Sequence, residues 1–213
     1  MDGLLLDTER RAMQALGEAG REVGVAMPVD LCRSLIGIPE DASRAVLLAA
    51  HGAEATTDRL LAAATRLLEA AIAEGRLRVK PGVLRLLDAA DRARLPKAVA
   101  TSSVRRKALL QLQAAGIAER FDAVVTRDDV ARGKPHPDVY LHAAQALRTA
   151  PSRCLALEDS YNGVRAAHAA GMSVVMVPDL LPPTEEMQTL CRAVVADLGS
   201  VVPWLVGEPS PER

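Results

Sequence analysis

Two patterns of apolar and polar positions divide the chain. From about residue 8 to residue 80 the apolar residues recur at three- and four-residue spacing, the period of a helix with one buried face. TERRAMQALGEAG (8–20), PEDASRAVLLAAHG (39–52) and TTDRLLAAATRLLEAAIAEG (56–75) each follow it, and each ends on a glycine, Gly20, Gly52 or Gly75. Glycine commonly closes a helix because it enters the left-handed region without steric cost. A small helical bundle is expected here.

After the breaker Lys80-Pro81-Gly82 the pattern changes to short valine-rich runs. They are KAVAT (97–101), DAVVT (122–126), CLALED (154–159), SVVMV (173–177) and AVVAD (193–197). The amphipathic stretches RRKALLQLQAAG, HPDVYLHAAQAL and NGVRAAHAAG lie between most of them. Strand-helix-strand alternation with right-handed crossovers predicts a doubly wound, mostly parallel α/β sheet. In such sheets ligands gather at the carboxyl ends of the strands. Polar residues stand at those ends here: Thr101-Ser102-Ser103, Thr126 to Asp129, and Glu158-Asp159-Ser160. The polar, proline-rich tail at 207–213 is expected to be disordered.

Bulk properties narrow the function. The chain has 213 residues, and its 2% aromatic content leaves Ala, Leu and Val to fill the core. A net charge of −1 argues against a nucleic-acid partner, which calls for a basic surplus. Only Lys80, Lys97, Lys107 and Lys134 are lysines; the other basic residues are arginines. Cys32, Cys154 and Cys191 show no CxxC spacing and read as reduced thiols. There is neither a signal-peptide pattern nor an apolar run near the roughly 20 residues a bilayer needs, so a cytoplasmic protein without membrane contact is expected.

Each polar motif admits a plain reading beside a chemical one. Glu158 and Asp159, adjacent carboxylates at the end of a buried strand, repel unless a cation lies between them, and Mg²⁺ suits such a sparse oxygen site. Asp159 or Ser160 capping the next helix weighs equally. In RGKPHPD (132–138) two prolines stiffen the loop that carries Lys134, whose ammonium would serve a phosphate or a buried carboxylate; an exposed loop lysine is the ordinary alternative. VATSS (99–103) ends a strand in hydroxyls leading into a helix, an anion seat or simply an N-cap. The four histidines show no zinc-binding spacing, and dinucleotide, P-loop and serine-hydrolase signatures are absent.

The order of the motifs says more than any one of them. MDGLLLDTE, VATSS, GKPHPD and LEDSYNGVRAA, with a helical insertion after the first, resemble the haloacid dehalogenase (HAD) superfamily over nearly the whole chain. The likeness is greatest to the helical-cap branch that holds β-phosphoglucomutase and phosphoglycolate-phosphatase-like enzymes. It implies a Rossmann-like core over 1–8 and 82–206 and a helical cap over 9–81, with Thr8 and Lys80-Pro81-Gly82 as hinges.

The resemblance also implies the chemistry. An aspartate attacks phosphorus, and a second one, here Asp2, protonates the leaving oxygen and then helps activate water. Lys134 is implied to stabilise charge, and Thr101 with the Ser102 N–H to bind a phosphoryl oxygen. Mg²⁺ is implied on Asp159, the Asp2 carbonyl and Glu158, the last directly or through water. The attacking aspartate and the strand carrying it fall before Met1. The expectation is therefore a record that begins at an internal methionine; the rival is a true loss that leaves an inactive protein.

Asp2 favours phosphoryl chemistry over dehalogenation. Mutases carry a histidine where this chain has Ala12, and a cap arginine where it has Glu40. Both differences favour a phosphatase of a small phosphorylated metabolite, such as a sugar phosphate; a monomer is the default expectation. β-Phosphoglucomutase-like transfer and a non-catalytic binding protein are the alternatives.

Overall fold

The computed structural model describes residues 1–35, 40–75 and 77–205, with the side chains of Glu40 and Asp41 outside the description. The chain separates into two compact units: Asp7–Arg78, and Met1–Leu6 together with the chain from Val79 onward.

The first unit is helical. It holds α1 (Thr8–Val23), α2 (Val29–Ser34), α3 (Glu40–His51) and α4 (Glu54–Ala73). Ala19, Leu47, Leu60, Ala63 and Ala64 form its buried centre, with Leu16, Val23, Met27 and Leu67 around them. Small residues on α1 and α4 let the helices approach closely, while Leu47 and Leu60 supply the bulk. Full burial of each is worth about 1.5–3 kcal/mol.

The glycines that end the three patterns have different roles. Gly52 and Gly75 adopt φ of 73° and 68° just past α3 and α4. Gly20 does not stop α1, which runs on to Val23 and turns at Gly24 with φ 84°. Instead Gly20 is where the returning chain lies against the helix: a Cβ there would come 2.6 Å from Met27 Cγ. A helix stop and a close approach look the same in sequence.

The second unit is α/β. Its elements are α5 (Val83–Arg92), β1 (Ala98–Ala100), α6 (Arg105–Ala114), β2 (Ala123–Val125), α7 (Asp138–Ala146), β3 (Leu155–Glu158), α8 (Tyr161–Ala169), β4 (Ser173–Met176), α9 (Glu185–Leu190), β5 (Ala193–Val194) and α10 (Val202–Leu205). Each valine-rich run contains a strand. Pairing is parallel throughout, in two pieces with orders β1-β2 and β3-β4-β5. The parallel architecture stands, but as two sheets, because no named strand among the described residues pairs β1 to β3. One core nonetheless lies under both pieces. Val139, Tyr140, Ala143 and Ala144 of α7 join Val164, Ala166 and Ala167 of α8 against Ala156, Val174 and Met176, with Ala98 and Ala100 packed alongside. The carboxyl ends of β1 and β3 therefore open on the same side of a shared helical layer.

Candidate functional site

At the start of the chain Met1 is buried and its carbonyl accepts the Leu5 and Leu6 N–H groups at 2.9 and 3.2 Å. Gly3, at φ 71°, returns an N–H to the Leu6 carbonyl at 3.0 Å. These bonds fold MDGLLL into a tight loop and present the Asp2 side chain to the end of β1. There Ser103 Oγ donates to Asp2 Oδ2 at 2.8 Å.

Thr101 is buried at the end of β1, where its N–H donates to the Val125 carbonyl of β2 at 2.9 Å. Its Oγ1 accepts the Ser103 N–H at 3.1 Å, which leaves the hydroxyl proton to donate elsewhere. Ser102 is exposed at the tip of this turn.

Lys134 points inward, its side chain only 8% exposed. Its Nζ donates to the Ala100 carbonyl at 3.1 Å, to Glu158 Oε1 at 2.5 Å and to the Tyr140 hydroxyl at 3.4 Å. One ammonium thus links the ends of β1 and β3, and the plain reading of an exposed loop lysine does not hold. Tyr140 Oη also donates to Glu158 Oε1, at 2.5 Å. The other carboxylate oxygen, Oε2, accepts the Ser160 hydroxyl at 3.0 Å and the N–H groups of Asp159 and Ser160 at 3.2 and 3.3 Å.

Burial alone would raise the Glu158 carboxyl. The Lys134 ammonium overrides that and holds it below its ordinary value. Burial, and then Glu158's charge, push Tyr140 well above its usual value, so the phenol remains a proton donor.

The first turn of α8 closes over this carboxylate. Ser160 caps the helix by accepting the Gly163 N–H at 3.1 Å. A Cβ on Gly163 would overlap the Glu158 carboxyl group, so only glycine lets the helix pass this close. Capping and the acidic pair therefore share one turn: Ser160 caps, while Glu158 and Asp159 are both buried beside it.

The other strand-end acids have a structural task. Asp129 pairs with Arg105 at 2.6 Å and Asp128 accepts the Arg105 N–H at 2.8 Å, fastening the loop after β2 to the start of α6. Hydrogen bonds from Arg105, and then from Thr126, lower Asp129 to about 2. Among the described residues no three His, Cys, Asp or Glu side chains gather as a metal cluster. Asp159, buried just after β3, is a hard oxygen donor, and a single such carboxylate leaves room for water. That donor set fits Mg²⁺, which keeps several waters, better than zinc or calcium.

Sequence reasoning placed Ser103 and Ser160 at the strand ends without giving them a partner in this cluster, and it missed Tyr140. Ser103 stood in the quoted VATSS run, and Tyr140 is one of two tyrosines in an aromatic-poor chain. A buried tyrosine needs a partner for its hydroxyl, and that was the available signal.

A parallel α/β unit interrupted near its start by a helical unit, with an acid, a hydroxyl turn, a lysine and an acidic pair at its strand ends, has the layout of a phosphoryl-handling hydrolase. The chain belongs to the haloacid dehalogenase-like hydrolase family, whose model matches residues 1–171. A phosphorylated carbohydrates phosphatase from Thermotoga maritima is 31% identical over 172 residues, covering 81% of this chain and 79% of that one. Among solved structures, a HAD family hydrolase from Deinococcus radiodurans with bound phosphate and sodium matches with TM-score 0.80 at 27% identity, covering 97% of this chain and 92% of that one. A variant of CbbY from Rhodobacter sphaeroides in complex with xylulose-(1,5)-bisphosphate matches with TM-score 0.76 at 29% identity, over 93% and 92%. These similarities, with that to a putative β-phosphoglucomutase from Thermotoga maritima at 29% identity, fall in the branch of CbbY and β-phosphoglucomutase proteins.

Proposed function

We propose that this enzyme is a Mg²⁺-dependent phosphatase of small phosphorylated sugars or similar phosphomonoesters. One observation carries the reading: Asp2 held by Ser103, and Lys134 held between Ala100 and Glu158, bring the acid and the ammonium to the ends of β1 and β3. The names of the carbohydrate phosphatase and of the phosphate and sugar-bisphosphate complexes agree with it.

The chain's own residues divide the work. The Ser103 hydroxyl orients the Asp2 carboxyl, which delivers a proton to the leaving sugar oxygen and then accepts one from the attacking water. Thr101, with the exposed backbone at Ser102, takes a phosphoryl oxygen at the turn. Lys134 contributes positive charge beside the transferring group. Glu158, whose oxygens already receive five donors, anchors Lys134 in preference to binding metal directly. Asp159 and the Asp2 carbonyl are the residues that would hold Mg²⁺, which when bound lowers repulsion between an anionic nucleophile and the phosphate. By the family resemblance, the helical unit is the element assigned to substrate selection. The attacking carboxylate implied by the resemblance is not among the 213 residues.

Phosphatase is preferred to mutase because Ala12, partly buried on α1, cannot relay a proton as a histidine would. The Glu40 side chain lies outside the described residues.

The test is Mg²⁺-dependent phosphate release from a panel of sugar phosphates and phosphoglycolate. It is run on the 213-residue chain and on a form given an added N-terminal strand that ends in aspartate. Turnover in the extended form, lost on Asp159→Asn, is the expected result. Absence of turnover in both forms, each cooperatively folded, refutes the reading and leaves a binding protein.

A further inference from the structure

Where the chain re-enters the α/β unit, Leu6 and Val79 form an antiparallel bridge and the Lys80 N–H donates to the Leu5 carbonyl at 2.9 Å. The Lys80 side chain does not run into solvent. Its Nζ lies 2.5 Å from Asp179 Oδ1, with the two side chains 19% and 4% exposed. Asp179 belongs to the loop leaving β4, the strand bonded to β3 and hence to the Glu158-Asp159 turn. Two residues beyond Lys80, Gly82 takes φ 82° and passes Gly199 so closely that a Cβ would overlap the Gly199 backbone.

The return crossing is thus held by four contacts (the bridge, the backbone hydrogen bond, the ion pair and the glycine approach), and only one of these is an ion pair. Desolvating a lysine and an aspartate, and freezing a long lysine chain, makes such a pair a poor choice for stability alone. An apolar pair of similar volume would serve stability as well.

We propose that Lys80 and Asp179 are positioning residues: their pair fixes the return hinge of the helical unit against the loop after β4, and substrate affinity depends on it. This rests on the phosphatase reading above. Neither residue touches the reacting atoms, so the effect falls on KM more than on kcat.

The experiment compares Lys80→Met, Asp179→Leu, the double variant and Lys80→Arg, in the form of the enzyme that turns over. Each apolar single takes from a buried charge its partner in this pair, so both melt lower. The double variant recovers the melting temperature, yet its KM remains raised on the order of tenfold with kcat within about twofold. Lys80→Arg, which keeps the pair, stays near the parent KM. A double variant that regains both melting temperature and KM overturns the proposal, because the pair is then merely structural.

Amide exchange at Lys80 supplies a readout that needs no substrate. The proposal expects exchange to quicken in the double variant even where the melting temperature has recovered; slow exchange there overturns it. If the double variant fails to fold, Lys80→Gln takes its place in both readouts, with the same raised KM and quickened exchange expected. An enzyme without phosphatase turnover would refute the functional reading and leave the exchange result to decide the latch.

Discussion

Replacing Glu158 by glutamine changes one atom and tests the cluster at its centre. Oε1 accepts from Lys134 and Tyr140; Oε2 accepts from the Ser160 hydroxyl and two backbone N–H groups. Every neighbour is a donor, so in either amide orientation the new NH₂ faces at least two donors. Lys134, 8% exposed, is left with a buried charge and no counter-ion from Glu158. Removing one partner of a buried pair costs about 3–5 kcal/mol, because the other ion remains desolvated. In a protein of this size that lowers Tm by about 10 °C, at 2–4 °C per kcal/mol.

The change also alters acid sensitivity in a defined direction. The folded carboxyl of Glu158 lies below its unfolded value. Its contribution is complete above about pH 4.3, the unfolded glutamate value, and is lost as pH falls towards the folded one. Glu158→Gln abolishes that increment of acid loss. Urea unfolding at pH 7 and at pH 3.5 measures both effects. A pH 7 loss below about 1 kcal/mol would mean that Lys134 finds another acceptor at no cost, and the argument from five donors fails.

Other expectations follow from single contacts. Ser103→Ala removes the hydroxyl that orients Asp2 and should lower kcat about tenfold with Tm nearly unchanged, as one hydrogen bond on a general acid implies; an unchanged kcat removes Ser103 from the site. Gly163→Ala forces a methyl into the Glu158 carboxylate and should destabilise by about 1–3 kcal/mol in chemical denaturation, as overpacking does. Leu60→Ala empties the centre of the helical unit at a cost of about 2–5 kcal/mol, read by the same unfolding curve. Asp129, held at about 2, adds stability above the unfolded carboxylate value that is lost as pH falls towards 2. Asp129→Asn should therefore flatten the Tm–pH profile in that acid window.

Most elements with a clean period were legible in the sequence, although α5 was passed over despite its amphipathic VLRLLDAADR; those defined by tertiary partners were not. The valine runs contain the five strands found among the described residues, because a buried parallel strand leaves an almost continuous apolar signature. The short helices α2 and α9 escaped the pattern, since six residues are too few to show a helical period. Gly20 misled because close backbone packing against Met27 leaves the same residue as a helix stop. At the site, residue types and order pointed to Asp2, Thr101, Lys134, Glu158 and Asp159 through the family resemblance. The sequence did not show that Lys134 and Glu158 would satisfy one another, nor that Tyr140 would join them. Those pairings depend on α7 and the end of β3 meeting in space, which no spacing along the chain encodes. Lys80 and Asp179, 99 positions apart in the numbering, escaped for the same reason.

The central claim is that a phosphomonoester is hydrolysed and its phosphate released. ³¹P NMR of a hexose 1-phosphate and of the preferred panel substrate, followed with Mg²⁺ and the N-terminally extended enzyme, separates the alternatives in one tube. The account predicts that inorganic phosphate grows as the monoester signal declines, with no second monoester appearing. A new monoester resonance without free phosphate would make the enzyme a mutase and contradict it.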